Sequence, residues 1–136
     1  VYGPRQRPDM AISRLIRAAL EGSVFDLLGD GLQSRDFTFV EDVLDANLAA
    51  SQYVKDSING QVFNIGGGQP VTMLSVIQAI ENLLDVAISI NQKSSSQGDP
   101  RSTCADSEQA QLCLGWMADT GFNDGLRRTV EQMVGS

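Results

Sequence analysis

The sequence predicts a mixed α/β fold, class α/β (α+β), with a small mixed sheet and helices packed on it, and three observations predict it. Segments with apolar residues at helical spacing alternate with short β-branched or aromatic runs. Glycine clusters, Gly29-Asp30-Gly31 and Gly66-Gly67-Gly68, stand where those runs change direction. A length of 136 residues with 42% hydrophobic content suits one domain with a modest core, residues 1–136 taken together.

From Pro8 to Glu21, Ile12, Leu15, Ile16, Ala19 and Leu20 recur at helical spacing, with Arg14, Arg17 and Glu21 off that face and Gly22 as a natural stop. An amphipathic helix is expected there. Ser23 to Leu28 and Arg35 to Phe39 read as strands on either side of the Gly29-Asp30-Gly31 turn. Val40 to Val54 is apolar on more than one side, as in a helix packed between other elements, and Asn59-Gly60 reads as a turn. Gln61 to Ile65 reads as a strand leaving through the glycine run. Thr72 to Leu84 reads as a helix with Thr72 as its cap. Val86 to Ile90 is a further expected strand, and Asn91 to Gly98 an exposed polar loop of the kind that commonly carries ligand contacts. Asp106 or Ser107 starts a short helix ending near Gly115, Trp116 is an anchor beside it, and Phe122 to Val134 is a final amphipathic helix.

Ten basic against seventeen acidic residues, a net charge of −7, argue against binding to nucleic acid or to an anionic membrane. Any anionic ligand then depends on local arginines. No run approaches the roughly 18 apolar residues of a membrane span, and no secretory signal opens the chain, so a cytoplasmic protein is the expectation. Cys104 and Cys113 have no second ligand pair near them and the chain has no histidine, which argues against zinc. Both cysteines are expected as buried small apolar groups, with a disulfide as the alternative. Without histidine, Ser-His and Cys-His nucleophile pairs fall away as well.

The run Gly66-x-Gly68 between a strand and a helix imitates a dinucleotide fingerprint, but Val71 holds the third glycine's place and no acidic residue ends the next strand. It reads as a structural turn. Arg35, directly after a glycine-rich turn, could take a diphosphate in bidentate fashion. It could equally be a surface arginine paired with Asp36 or Glu41. The Asp99 carboxylate could accept two ribose hydroxyls or belong to an Asp-Pro turn. Arg101, two residues on, is a further phosphate candidate or a solvated charge.

The blocks Val1-Tyr2-Gly3-Pro4-Arg5-Gln6-Arg7-Pro8-Asp9-Met10, Gly29 to Val40, Asn64-Ile65-Gly66-Gly67-Gly68 and Gly98-Asp99, in that order, resemble one known family. It is the extended short-chain dehydrogenase/reductase family of NAD-dependent nucleotide-sugar epimerases and dehydratases, in particular its UDP-glucose 4-epimerase-like members, and the match is to their carboxyl-terminal portion. The resemblance implies a C-terminal substrate-binding domain acting on a UDP- or dTDP-sugar. It implies NAD as cofactor of the full-length parent, with none bound to this chain alone, and a dinucleotide-binding Rossmann domain as the missing partner. It puts Arg35 on the diphosphate, Asp99 on the ribose, and the main chain of Asp26 to Leu28 on the base. Arg5 and Arg7 would line the sugar-diphosphate channel or flank the N-terminus of the first helix. Many relatives carry a second phosphate-binding arginine where this chain has Ser96, and Arg101 lies close enough to substitute.

Family members use a tyrosine with lysine four residues later as the acid/base pair. Here Tyr2 is followed by Gln6 and Tyr53 by Ser57 at that spacing, so the chain is not expected to transfer hydride by itself. The expected function is the substrate-binding part of a nucleotide-sugar 4-epimerase. The alternatives are the same part of a 4,6-dehydratase or decarboxylase, or a free-standing noncatalytic binding module.

Overall fold

The computed structural model describes residues 1–53, 60–95 and 98–135. The predicted helix end at Val54, Asn59 of the predicted turn, and Ser96 lie outside the described residues. The chain opens with α1 (Ala11–Glu21), β1 (Phe25–Leu28), β2 (Ser34–Arg35) and α2 (Val40–Gln52). It continues with β3 (Val71–Thr72), α3 (Met73–Leu84), β4 (Ile90–Lys93), α4 (Glu108–Leu114) and α5 (Phe122–Val134). The mixed sheet is realised as two separate ladders: β1 runs parallel to β4, in register from Phe25 opposite Ile90 to Leu28 opposite Lys93, and β2 runs antiparallel to β3.

The helices follow their sequence signals closely. Ile12, Leu15, Ile16 and Ala19 of α1 are buried against α3, and Gly22 ends the helix in a left-handed conformation. Thr72 caps α3, its Oγ1 accepting the Ser75 N–H at 3.1 Å. Val76, Ile77 and Ile80 on α3 and Leu126 and Val130 on α5 complete the main core with Tyr2 and Phe39. Fully burying each aliphatic side chain is worth about 1.5–3 kcal/mol, so this layer supplies much of the stability. Tyr2 packs against Phe37, Phe39 and Phe122 and donates its hydroxyl to the Phe122 carbonyl at 3.0 Å. Gly125 permits that approach, since a Cβ there would lie 2.3 Å from the Tyr2 Oη.

A second cluster joins Ala46, Ala110 and Trp116, with Phe63, Ile65 and Leu114 against it. Trp116 donates Nε1–H to the Asp42 carbonyl at 2.9 Å, as an anchor should. The buried Asp42 carboxylate accepts from Thr120 Oγ1 at 3.0 Å and from the Asp119 and Thr120 amides, both at 3.3 Å. It therefore ties the α4–α5 link to the first turn of α2.

The strands and one cysteine depart from expectation. The run from Arg35 to Phe39 is a strand only at its start, because Phe37 and Phe39 turn toward Tyr2, whose N–H bonds the Thr38 carbonyl at 2.9 Å. The run from Val86 to Ile90 is not yet a strand, because the Val86 and Ile88 amides are taken by the Glu81 carbonyl and side chain. The ladder begins only at Ile90 and takes in Asn91 to Lys93, which the sequence suggested were loop. The segment 61–65 is irregular because no described strand pairs with it, and Val62 is 78% exposed. Cys104 is exposed rather than buried and Cys113 half-buried, both as free thiols.

Candidate functional site: a cleft at the edge of the parallel ladder

Among the described residues, strand β1 has β4 along one edge and no ladder along the other. The Phe25 N–H bonds the Ser89 carbonyl and the Gly29 N–H the Lys93 carbonyl. By the alternation of a parallel ladder, the main-chain groups of Asp26 and Leu28 therefore point away from β4. They meet a cavity of about 300 Å³ whose lining includes Arg14, Asp26, Leu28, Arg35, Phe37 and Asp99. Gln33 Nε2 donates to the Leu28 carbonyl at 2.6 Å, and the Asp26 carboxylate accepts from Asn91 Nδ2 at 2.6 Å and faces the Lys93 ammonium at 3.9 Å.

Arg35 reaches this cleft from β2. The segment after Gly98 is stitched to that strand by three bonds: Ser34 N–H to the Arg101 carbonyl at 2.9 Å, Thr103 N–H to the Ser34 carbonyl at 3.2 Å, and Ser34 Oγ to Ser102 Oγ at 2.7 Å. That stitching brings residues 64 apart in sequence together. Arg35 Nη1 donates to the Ser34 and Pro100 carbonyls at 2.7 and 2.8 Å, and Nη2 to Asp99 Oδ1 at 2.5 Å. A guanidinium has five N–H donors; among the described residues the Nε–H and one Nη2–H make no hydrogen bond and stay available to anion oxygens. Arg35 thus pairs with Asp99, and neither Asp36 nor Glu41 is its partner: Asp36 accepts the Ala105 N–H at 3.0 Å and Glu41 binds Arg128.

Arg101 lies in an adjoining cavity of about 310 Å³ that shares Asp99, Leu28 and Gln33 with the first. Its Nη1 bridges both Asp30 oxygens at 3.0 and 2.9 Å. The Leu32 N–H, and then Arg101, hold the Asp30 carboxyl below the usual carboxylate range. Arg5 is elsewhere: it lines a third cavity, of about 390 Å³, beside α1 and α5, with no lining residue in common with the cleft. Five of the sequence candidates, Asp26, Leu28, Arg35, Asp99 and Arg101, therefore sit around the two adjoining cavities. Sequence reasoning did not name Arg14, Gln33 or Phe37. The only available signal was that Arg14 falls off the apolar face of α1, which does not say that β1 lies alongside; its guanidinium sits 5.2 Å from the Phe25 ring centre.

The glycine run is packed closely against its own chain on one side. A Cβ on Gly66 would lie 2.4 Å from the Ala105 Cβ and 2.5 Å from Asp36 Oδ2, and one on Gly67 2.5 Å from the Phe37 carbonyl oxygen. Gly66 and Gly67 let the segment press against the chain's own Asp36-Phe37 segment, while the run also lines a cavity of about 350 Å³ together with Glu108 and Trp116.

Helices laid on short parallel and antiparallel ladders, with a guanidinium and carboxylates at a strand edge, make up a mixed α/β domain. The family described as NAD dependent epimerase/dehydratase matches residues 1–66 of this chain. A UDP-glucuronate 4-epimerase from Thermodesulfobacterium geofontis is 32% identical over 96% of this chain and 39% of its own length. A dTDP-glucose 4,6-dehydratase from Neisseria gonorrhoeae is 33% identical over 96% of this chain and 40% of its own. Among solved structures, MoeE5 in complex with UDP-glucuronic acid and NAD is 44% identical with a TM-score of 0.92, covering 98% of this chain and 44% of that one. The same protein is also solved with UDP-glucose and NAD, at a TM-score of 0.91. The chain thus spans about 40% of the length of the relatives it matches.

Proposed function

We propose that this chain is the substrate-binding part of an NAD-dependent UDP-sugar 4-epimerase, holding the nucleoside diphosphate so that the sugar is presented to chemistry carried elsewhere in the whole protein. The observation that carries this reading is the convergence of Arg35, Asp99 and the unpaired edge of β1 on one cleft. The free edge of the Arg35 guanidinium would take diphosphate oxygens, and the Pro100 and Ser34 carbonyls keep it oriented while it does so. Asp99 would accept the ribose hydroxyls through the lone pairs that Arg35 leaves open. The outward main-chain groups of Asp26 and Leu28 would read the base, and Arg101 would add a positive charge at the rim once released from Asp30.

NAD takes hydride from the sugar in such enzymes. We assign it to a dinucleotide-binding domain in the remainder of the whole protein. A cytoplasmic setting fits this reading, supported by two free thiols. UDP-glucuronic acid and UDP-glucose are the first sugars to test, because both are bound in a structure 44% identical to this chain. The dehydratase relative gives the second reading, a dTDP-sugar 4,6-dehydratase.

The test is a calorimetric or NMR titration of the folded chain with UDP, UDP-sugars and dTDP. Weak saturable binding is expected, since a part of the cleft supplied by another domain cannot preorganise the ligand. No saturation at millimolar UDP by a folded chain would sink the proposal, and tighter binding of dTDP would favour the dehydratase reading.

A further inference from the structure

The cavity beside α1 and α5 has a chemistry of its own. Among the described basic residues, six pair with carboxylates: Arg7, Arg35, Lys93, Arg101, Arg127 and Arg128. Arg14 lies over the Phe25 ring. The two described arginines left without a partner, Arg5 and Arg17, line the same cavity of about 390 Å³. In a chain with seventeen acidic and ten basic residues, unpaired guanidiniums are scarce, and finding both at one cavity is the opposite of what charge pairing would produce. One acidic side chain, Glu21, shares the lining.

The wall between them is fixed. Gln6 donates Nε2–H to the Val1 carbonyl at 2.9 Å, and its Oε1 accepts from the buried Ser13 hydroxyl at 3.0 Å. Arg5 itself sits at φ +64, in the left-handed region that a side chain other than glycine rarely adopts. No hydrogen bond or ion pair made by its own side chain accounts for that conformation. Two guanidiniums from separate segments, a loop and a helix, line the one cavity, and together they offer more N–H donors than one carboxylate can use, which suits the several oxygens of a phosphoryl group.

We propose that this cavity is a second anion site, separate from the nucleotide cleft, that takes the phosphoryl group of a small phosphorylated ligand or free phosphate between Arg5 and Arg17. The test uses the Arg35→Ala chain, so that phosphate cannot report through the nucleotide cleft. Inorganic phosphate is titrated against thermal stability, with chloride holding ionic strength constant, and a parallel titration with glycerol 3-phosphate separates a phosphomonoester from the free ion. A saturable rise in Tm is expected with at least one of the two. Adding Arg5→Gly or Arg17→Gln should weaken that response roughly tenfold or more, as loss of a hydrogen bond to a charged group does, whereas adding Arg127→Gln should leave it intact. Arg5→Gly is the decisive variant, because glycine is at ease at φ +64, so a lost response cannot be put down to a damaged fold. The proposal is overturned if neither ligand raises Tm beyond chloride, or if the response persists in either the Arg5→Gly or the Arg17→Gln chain.

Discussion

Arg35 shows how a single side chain is set for a task before any ligand arrives. Two carbonyls and one carboxylate fix its guanidinium while leaving an edge free, so Arg35→Ala should weaken UDP binding roughly tenfold or more. Arg35→Lys should recover only part of that loss, because an ammonium lacks the planar fork; equal affinities of the three chains in a UDP titration would remove Arg35 from the site. Tyr2 makes a different claim at the same scale. Burial, then the nearby Asp42 carboxylate, pushes its hydroxyl well above the usual tyrosine range. The folded chain therefore keeps that proton after the unfolded chain has lost it, and stability should fall as pH rises past about 10, the unperturbed tyrosine value. The expected result is a steeper loss of Tm with pH above that point in the native chain than in Tyr2→Phe, whatever the starting stabilities; parallel slopes would contradict it. That Tyr2 belongs to the core was not visible in the sequence, since nothing near it shows a period and its neighbours Phe39 and Phe122 are remote in the chain.

At the scale of elements, the helices were legible and the strands were not. Helix α5 spans Phe122–Val134 as its apolar spacing implied, and α3 starts at the cap that Thr72 announced, because helix periodicity and capping are encoded within a few residues of each other. Thr72→Ala should therefore cost about 1 kcal/mol, read as a shifted midpoint in urea with an unchanged slope; an unchanged midpoint would mean the cap contributes nothing. Strands are completed by partners far along the chain. Ile90–Lys93 is a strand because β1 lies beside it, and 61–65 is none because no described strand does. The cleft inherits this dependence: Arg35 and Asp99 were recognisable singly, but their meeting rests on Ser34 being stitched to Arg101, Ser102 and Thr103.

For the whole molecule, the distribution of apolar surface is the telling property. Leu44 and Leu48 on α2, Val62, Leu112 on α4 and Met117 are all more than half exposed, and they belong to the elements around the smaller core cluster. A surface of that character promotes association. Light scattering at rising concentration should show self-association with binding of an apolar dye, reduced in a Leu44→Glu, Leu48→Glu chain; a clean monomer without dye binding would refute this. Apolar spacing, caps and glycine stops placed the five helices, the ordered blocks from Val1 to Asp99 pointed to the family, and the type of each candidate residue set its chemistry, all of which are local in the chain. Only the tertiary structure decided that Arg35 pairs with Asp99 at the open edge of β1, that Arg5 stands apart with Arg17, and that the glycine run packs on Asp36 and Phe37. The physical reason is that each of these depends on distances between segments tens of residues apart, fixed by core packing and strand pairing rather than by any nearby pattern.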